Sequence, residues 1–164
     1  MPQQHFYEIS TEWTGNTGTG TSGYKDYERS HLIQGNEKSA PIAGSSDPNF
    51  RGDKTRYNPE ELLLAALSSC HMLWYLHFCA VNGVCVVAYS DTATGVMQAG
   101  KEHDGKFVEA TLNPSVTITH ESMREKALSL HKEANKWCFV ANSCNFVVHH
   151  QASVKIQDAS KESS

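Results

Sequence analysis

Residues 62–80, LLLAALSSCHMLWYLHFCA, run for nineteen positions without an Asp, Glu, Lys or Arg. No other segment of this 164-residue chain restricts its fold as tightly. The length matches a membrane span. However, Ser68, Ser69, Cys70, His71 and His77 interrupt the apolar run, no second span follows, and the flanks (Glu60-Glu61 and Asn82-Gly83) carry no basic clamp. The stretch reads as a helix of a soluble protein, buried on nearly all sides. Such a helix needs a thick wrapping, which a chain this short obtains by sharing a core with a second copy of itself.

The helix has clear ends. Asn58-Pro59-Glu60-Glu61 is a start signal: Asn58 is a good N-cap, Pro59 suits the first helical position, and Glu61 stands three residues after the cap, as in a capping box. Asn82-Gly83 is a stop signal. Before the helix, Phe6–Trp13 and Tyr24–Gln34 read as two strands of a hairpin around the loop Gly15–Gly23. Residues 37–56 form a long connection with a short strand near Ala40–Ala43, and loops of this length are often functional. After the helix, Val84–Thr94, Gly95–Gly100 and Lys106–Thr111 read as strands, with a tight turn at Asp104-Gly105. Asn113-Pro114 breaks the chain, and Val116–Thr119 alternates again. Glu121–Trp137 reads as a second helix with Met123, Ala127, Leu130, Ala134 and Trp137 on one stripe. Asn145–His150 and Ser153–Gln157 are closing strands, and 158–164 is a polar tail. Strands and helices do not strictly interleave, so the class is α+β in one domain over 1–164: hairpin and loop over 1–57, central helix over 58–82, then strands, second helix and closing strands over 83–157.

Net charge is −4, charged residues make up 20% and hydrophobic residues 39%. That balance describes an ordered globular chain and gives no reason to expect nucleic acid or an anionic membrane surface as partner. The five cysteines (Cys70, Cys79, Cys85, Cys138 and Cys144) contain no CxxC, and the opening residues MPQQHFYEIS lack the pattern of a secretory signal. The cysteines are therefore expected as thiols in a reducing cytoplasm. No HExxH, HxH or CxxC spacing suggests a metal. The loop GNTGTGTSG lacks the Lys-Ser/Thr of a phosphate cradle, so no metal or cofactor is expected.

Ser68-Ser69-Cys70-His71 is a polar patch in an apolar helix, and polar groups in a core need partners. Glu61 serves the cap, which leaves Glu60 as an acid at the helix mouth. Glu60 and Cys70 lie ten residues apart, about 15 Å along the axis and about 80° around it. They cannot meet within one helix, so a site using both takes Glu60 from a second subunit. His71 is turned about 100° from Cys70, and His77 lies about 10 Å further along the helix. Neither forms a local Cys–His dyad with Cys70. Cys138, just past the second helix, and Cys144, six residues on, are the distal thiols.

NPEELLLAALSSC, Asn58 to Cys70, resembles the OsmC/Ohr family of osmotically inducible and organic hydroperoxide resistance proteins, in which a reactive cysteine follows the Glu of Asn-Pro-Glu by ten residues. EANKWCFVANS is similar to the family's second-cysteine segment and places that cysteine at Cys138. The resemblance implies an OsmC-like fold, with antiparallel sheets wrapped around long central helices in an intertwined homodimer. It implies that the Cys70 thiolate attacks a small organic hydroperoxide and becomes a sulfenic acid. A Cys70–Cys138 disulfide then forms, which an external dithiol reduces. It also implies an Arg oriented by Glu60 that stabilises the thiolate. Arg51 in Phe50-Arg51-Gly52 is the chosen candidate, with Arg56 and Arg29 as the other two. Phe139 stands where many relatives have Pro, and the Arg is displaced; both departures suggest a divergent branch. The alternatives are a non-enzymatic dimer that binds a small apolar ligand, or a cysteine-dependent hydrolase or transferase.

Overall fold

The computed structural model describes residues 2–100 and 105–158. Contacts among them divide the chain into two compact units that meet in sequence between Leu62 and Leu63.

The first unit holds a three-stranded antiparallel sheet in the order β1 (Ser10–Trp13), β2 (His31–Gln34), β3 (Ile42–Gly44). The hairpin is present, but its strands are much shorter than the alternation suggested. Pairing starts at Ser10↔Gln34. Extending it would need residues 35–38, and these turn back with Lys38 N–H donating to the Gly35 carbonyl. Phe6 and Tyr7 consequently lie almost fully exposed. Residues 24–30 are also drawn out of the strand. The Arg29 guanidinium sits over the Tyr24 and Tyr27 rings and donates to both of their carbonyls.

The loop before the helix is tied by its own polar groups. The Asp47 side chain accepts from Asn49 N–H, and its carbonyl accepts from Phe50 and Gly52 N–H. Asp53 N–H donates to the buried Ser45 hydroxyl. Gly52 is required here, because a Cβ at that position would stand 1.5 Å from the Ser46 carbonyl oxygen. The capping box forms as expected: Glu61 N–H donates to Asn58 Oδ1 at 2.8 Å, and Asn58 N–H donates to Glu61 Oε2 at 3.0 Å.

α1 runs unbroken over Pro59–Val81. It ends in a Schellman motif, with Val84 N–H donating to the Cys79 carbonyl and Gly83 N–H to that of Ala80. Gly83 adopts φ 72°, a left-handed conformation that glycine takes without a Cβ penalty.

The second unit contains two three-stranded sheets, in the orders β4-β7-β9 and β5-β6-β8. Their strands are β4 (Val86–Asp91), β5 (Thr94–Gln98), β6 (Lys106–Leu112), β7 (Pro114–Ile118), β8 (Val147–His150) and β9 (Ser153–Ile156). Asp104 of the expected turn lies outside the described residues. Both sheets are mixed rather than wholly antiparallel, since β6 pairs with β8, and β7 with β9, in parallel. Each parallel pair joins strands separated in sequence by the second helical segment, and parallel neighbours need such a crossover rather than a tight turn.

That segment is a 3₁₀ turn (Glu121–Met123), then α2 (Arg124–Trp137), a break at Cys138, and a short α3 (Phe139–Asn142). The sequence predicts one helix over 121–137; the structure divides it into the 3₁₀ turn and α2 and adds α3. Ala127, Leu130 and Ala134 of the expected stripe are buried, with His131 beside them, whereas Trp137 stays half exposed.

The larger core cluster joins Tyr75 and Cys79 of α1, Val116 and Ile118 of β7, Ala127, Leu130 and Ala134 of α2, and Val154 of β9. A smaller one joins Leu67, Ala110 and Leu112. Within one chain α1 buries only Leu67, His71, Tyr75 and Cys79, so burial on nearly all sides is not reached. Leu73 and Val81 remain more than 60% exposed. Replacing Asn58 by Ala removes the side-chain half of the capping box and is expected to lower stability by about 1 kcal/mol in urea unfolding. Asn58→Asp, which keeps the acceptor, should lose much less.

Candidate active site around two thiols

Each member of the Ser68–His71 patch finds a partner. Ser68 Oγ donates to Asp91 Oδ2 at 2.5 Å, and Asp91 Oδ1 accepts from Asn113 N–H at 2.7 Å. Ser69 Oγ donates back to the Ala65 carbonyl. Cys70 lies against Cys138, and His71 pairs with His131.

The thiol pair depends on the break after α2. Cys138 is at once the C-cap of α2 and the N-cap of α3, with φ −68° and ψ 107°. That extended residue turns its side chain inward, and Cys138 is only 1% exposed. Its Sγ accepts from Ala141 N–H at 3.4 Å. Burial pushes its pKa up to about 11. The Ala141 N–H works against this shift, and the neighbouring Cys70 thiol adds to it. Cys138 is thus held as a thiol at neutral pH, while Cys70 is half-buried. Cys144 turns elsewhere: its S–H donates to the Val140 carbonyl, and it packs on the Leu67 cluster. The geometry brings Cys70 together with Cys138.

Aromatic rings border the pair. The Trp74 ring centre lies 5.8 Å from that of Trp137, 5.4 Å from Phe139 and 5.6 Å from Phe78.

The other candidates lie in the first unit. Glu60 is half-buried in the first turn of α1, beside the Glu61 that closes the cap. Arg51 follows the 3₁₀ turn Pro48–Phe50 with φ 64°, a conformation uncommon outside glycine, and is exposed. It borders a cleft of about 410 Å³ together with Arg29, Asp26, Glu28 and Asp53. Arg29 is engaged with its two tyrosines. Arg56 pairs with Asp53 at 3.7 Å and keeps a buried, unpartnered Nη1.

A cluster of three histidines was not foreseen. His71 of α1, His131 of α2 and His150 of β8 come together in the second unit. His71 Nε2 and His131 Nδ1 are 3.0 Å apart, and the His71 and His150 ring centres are 4.4 Å apart. His131 also stacks on Tyr75 at 3.8 Å. The local hints are His71 in the polar patch of α1 and His131 among the apolar residues of the α2 stripe, and neither spacing reveals a partner. The pair His149-His150 behaves as a strand should, with His149 exposed and His150 turned inward. His71 and His131 meet through their ring nitrogens with nearly parallel planes, His150 is tilted against His71, and among the described residues no group of three His, Cys, Asp or Glu is placed to hold a metal ion.

A sequence profile described as OsmC-like protein matches residues 52–153, well over half the chain. The chain belongs to the OsmC-like family. No protein with a curated description matches it by sequence. Among solved structures, an OsmC-like protein of unknown function from Vibrio cholerae superposes with a TM-score of 0.81 at 24% identity, covering 92% of this chain and 100% of the other. The organic hydroperoxide resistance protein OsmC of Legionella pneumophila gives 0.64 at 16%, covering 94% and 99%. The organic hydroperoxide resistance protein OhrB of Bacillus subtilis gives 0.60 at 15%, covering 92% and 98%. At these identities the likeness establishes the shared α+β fold.

Burial holds the histidines in their neutral form, with the pKa of His71 lowered to about 3 and that of His131 to about 4. The unfolded chain binds these protons near pH 6.5 and the folded chain does not. The contribution to stability is therefore whole above pH 6.5 and lost as pH falls toward 4 and 3. Each histidine removes up to about 1.4 kcal/mol per pH unit in that window. Asp91 acts the other way on His150 and softens that member's share. Urea midpoints at pH 7.5 and 5.5 should differ clearly, and His131→Phe, which keeps a ring on Tyr75, should reduce the difference.

Proposed function

We propose that this protein reduces organic hydroperoxides to alcohols with Cys70 as the attacking thiol and Cys138 as the resolving one. The observation that carries the reading is the contact of a half-buried thiol on α1 with a fully buried thiol that its surroundings keep protonated. The names of the structural relatives from Legionella pneumophila and Bacillus subtilis point the same way.

The Cys70 thiolate attacks the distal peroxide oxygen and the O–O bond breaks. The alkoxide leaves and takes up a proton as the alcohol, and Cys70 becomes a sulfenic acid. Cys138 sulfur then attacks Cys70 sulfur, and the S–O bond breaks. The hydroxyl leaves with the Cys138 proton as water, and a disulfide remains. An external dithiol supplies two electrons and two protons to restore both thiols. A buried resolving thiol suits this order, since it stays out of the first step and gives up its proton only when water departs.

The attacking thiolate needs a cation. Arg51, oriented by Glu60, is our candidate. Glu60 reaches Cys70 only from a second copy, because α1 is continuous over both positions. The apolar residues that α1 leaves exposed in one chain favour such a homodimer. The cytoplasm, where a dithiol reductant is at hand, is the compartment that suits the cycle.

Peroxide-dependent oxidation of a dithiol should disappear in Cys70→Ser; unchanged turnover would sink the reading. Cys138→Ser should instead accumulate a Cys70 sulfenic acid that dimedone traps. Peptide mapping after one equivalent of peroxide should give a Cys70–Cys138 bridge, and a Cys70–Cys144 bridge would transfer the resolving role.

A further inference from the structure

α2 and β8 leave a pocket of about 490 Å³ between them, and neither Cys70 nor Cys138 lines it. Leu128, His131, Lys132 and Asn135 form one side. Their spacing of three, four and seven residues puts them on one stripe of the helix. Val148 and His150 face them from β8.

His131 distinguishes this pocket from an ordinary surface groove. It is 4% exposed, and its Nδ1 lies 3.0 Å from Nε2 of His71 on α1. The two nitrogens of an imidazole diverge, so Nε2 of His131 points away from α1. That nitrogen is buried and has no partner. His150 lines the same pocket, and its Nε2 is also buried and unpartnered. A buried polar atom without a partner is costly, and a bound group that supplied one would recover that cost. His131 needs no added proton to serve such a group. When His71 Nε2–H donates to His131 Nδ1, the hydrogen of His131 sits on Nε2 and is free to be donated. A ligand that accepts there selects this tautomer of the pair.

The remaining side chains set the class of ligand. Lys132, Asn135 and His149 place hydrogen-bond donors on the pocket, and none of its lining residues is acidic. Two carboxylates lie nearby without lining it. Glu109 approaches His149 Nε2 at 3.7 Å, and Asp91, which acts on His150, is held by Ser68 and Asn113. Leu128 and Val148 add apolar surface, Leu128 being 41% exposed.

We propose that the pocket between α2 and β8 binds a small carboxylate with a compact apolar body. The carboxylate accepts from His131 Nε2–H and pairs with the Lys132 ammonium, while the body covers Leu128 and Val148. A bare inorganic anion leaves the apolar side uncovered, and a neutral amide forgoes the charge of Lys132. The site is separate from the thiol pair and stands or falls without the peroxidase reading.

The test titrates the full chain at pH 7.5 with cyclohexanecarboxylate, cyclohexanecarboxamide and sulfate, followed by calorimetry. The carboxylate should bind saturably, and the amide and sulfate at least about tenfold more weakly. Lys132→Gln, a change at an exposed position, should weaken the carboxylate about tenfold and leave the amide unaltered. A second readout needs no variant at the buried ring. In histidine ring proton–carbon spectra the signals of His131 and His150 should move with the same saturation, while that of His31 in the first unit stays in place. Equal affinity for acid and amide, or an unaffected Lys132→Gln, would overturn the recognition of charge. Sulfate binding as well as the carboxylate would overturn the role of Leu128 and Val148. Binding that leaves both rings unmoved puts the ligand elsewhere and overturns the site, as does the absence of both heat and ring shifts at millimolar carboxylate.

Discussion

The burial of one stripe of α1 underlies the second unit. Leu67, Tyr75 and Cys79 recur every fourth or eighth residue, so they face one direction, and both core clusters close against them. β7 answers with Pro114, Val116 and Ile118 buried in alternation, and α2 answers with three small or branched residues. This arrangement commits the helix to its place, but it uses less than half the circumference. The remaining apolar surface sets the two open demands on the molecule: a covering for the free face of α1, and partners for the polar groups that the stripe carries inward with it.

Those polar groups were each resolved differently. Ser68 is tied through Asp91 to the Asn113 backbone, an arrangement that also pins the corner between β6 and β7. His71 shares one contact with His131 and leaves its other ring nitrogen unpartnered, as do His131 and His150. Such groups penalise charge far more than they add stability. The core is consequently tolerant of neutral pH and poorly suited to acid. Cys70 meets another thiol, the one partner in this set that can become a covalent one. The same helix thus carries a structural serine, a proton-sensitive histidine and a cysteine beside a second thiol within four consecutive residues.

How legible these features were depended on how local their causes are. The capping box at Asn58 and Glu61 and the stop at Gly83 could be read directly, because their hydrogen bonds close within a few residues. The lengths of β1 and β2 could not, because alternation in Phe6–Trp13 says nothing about where the partner turns away. The parallel pairing of β8 and β9 depended on a crossover, and α3 on a break at Cys138 that the α2 periodicity does not announce. The histidine cluster required three elements to arrive at one place, and no spacing in the chain encodes that.

The sequence alone determined that a nearly uncharged helix begins at Asn58 and ends at Gly83, that Cys70 sits on it away from Glu60, and that the polar patch around Cys70 needs partners. Helical geometry makes these facts independent of everything else in the chain. Only the tertiary structure decided which partners those are: Asp91 for Ser68, His131 and His150 for His71, and for Cys70 the Cys138 that the family resemblance, but no local spacing, favours over Cys144. That choice lay with the packing of α2, β4 and β8 against α1, since burial and contact between distant segments have no counterpart in local spacing.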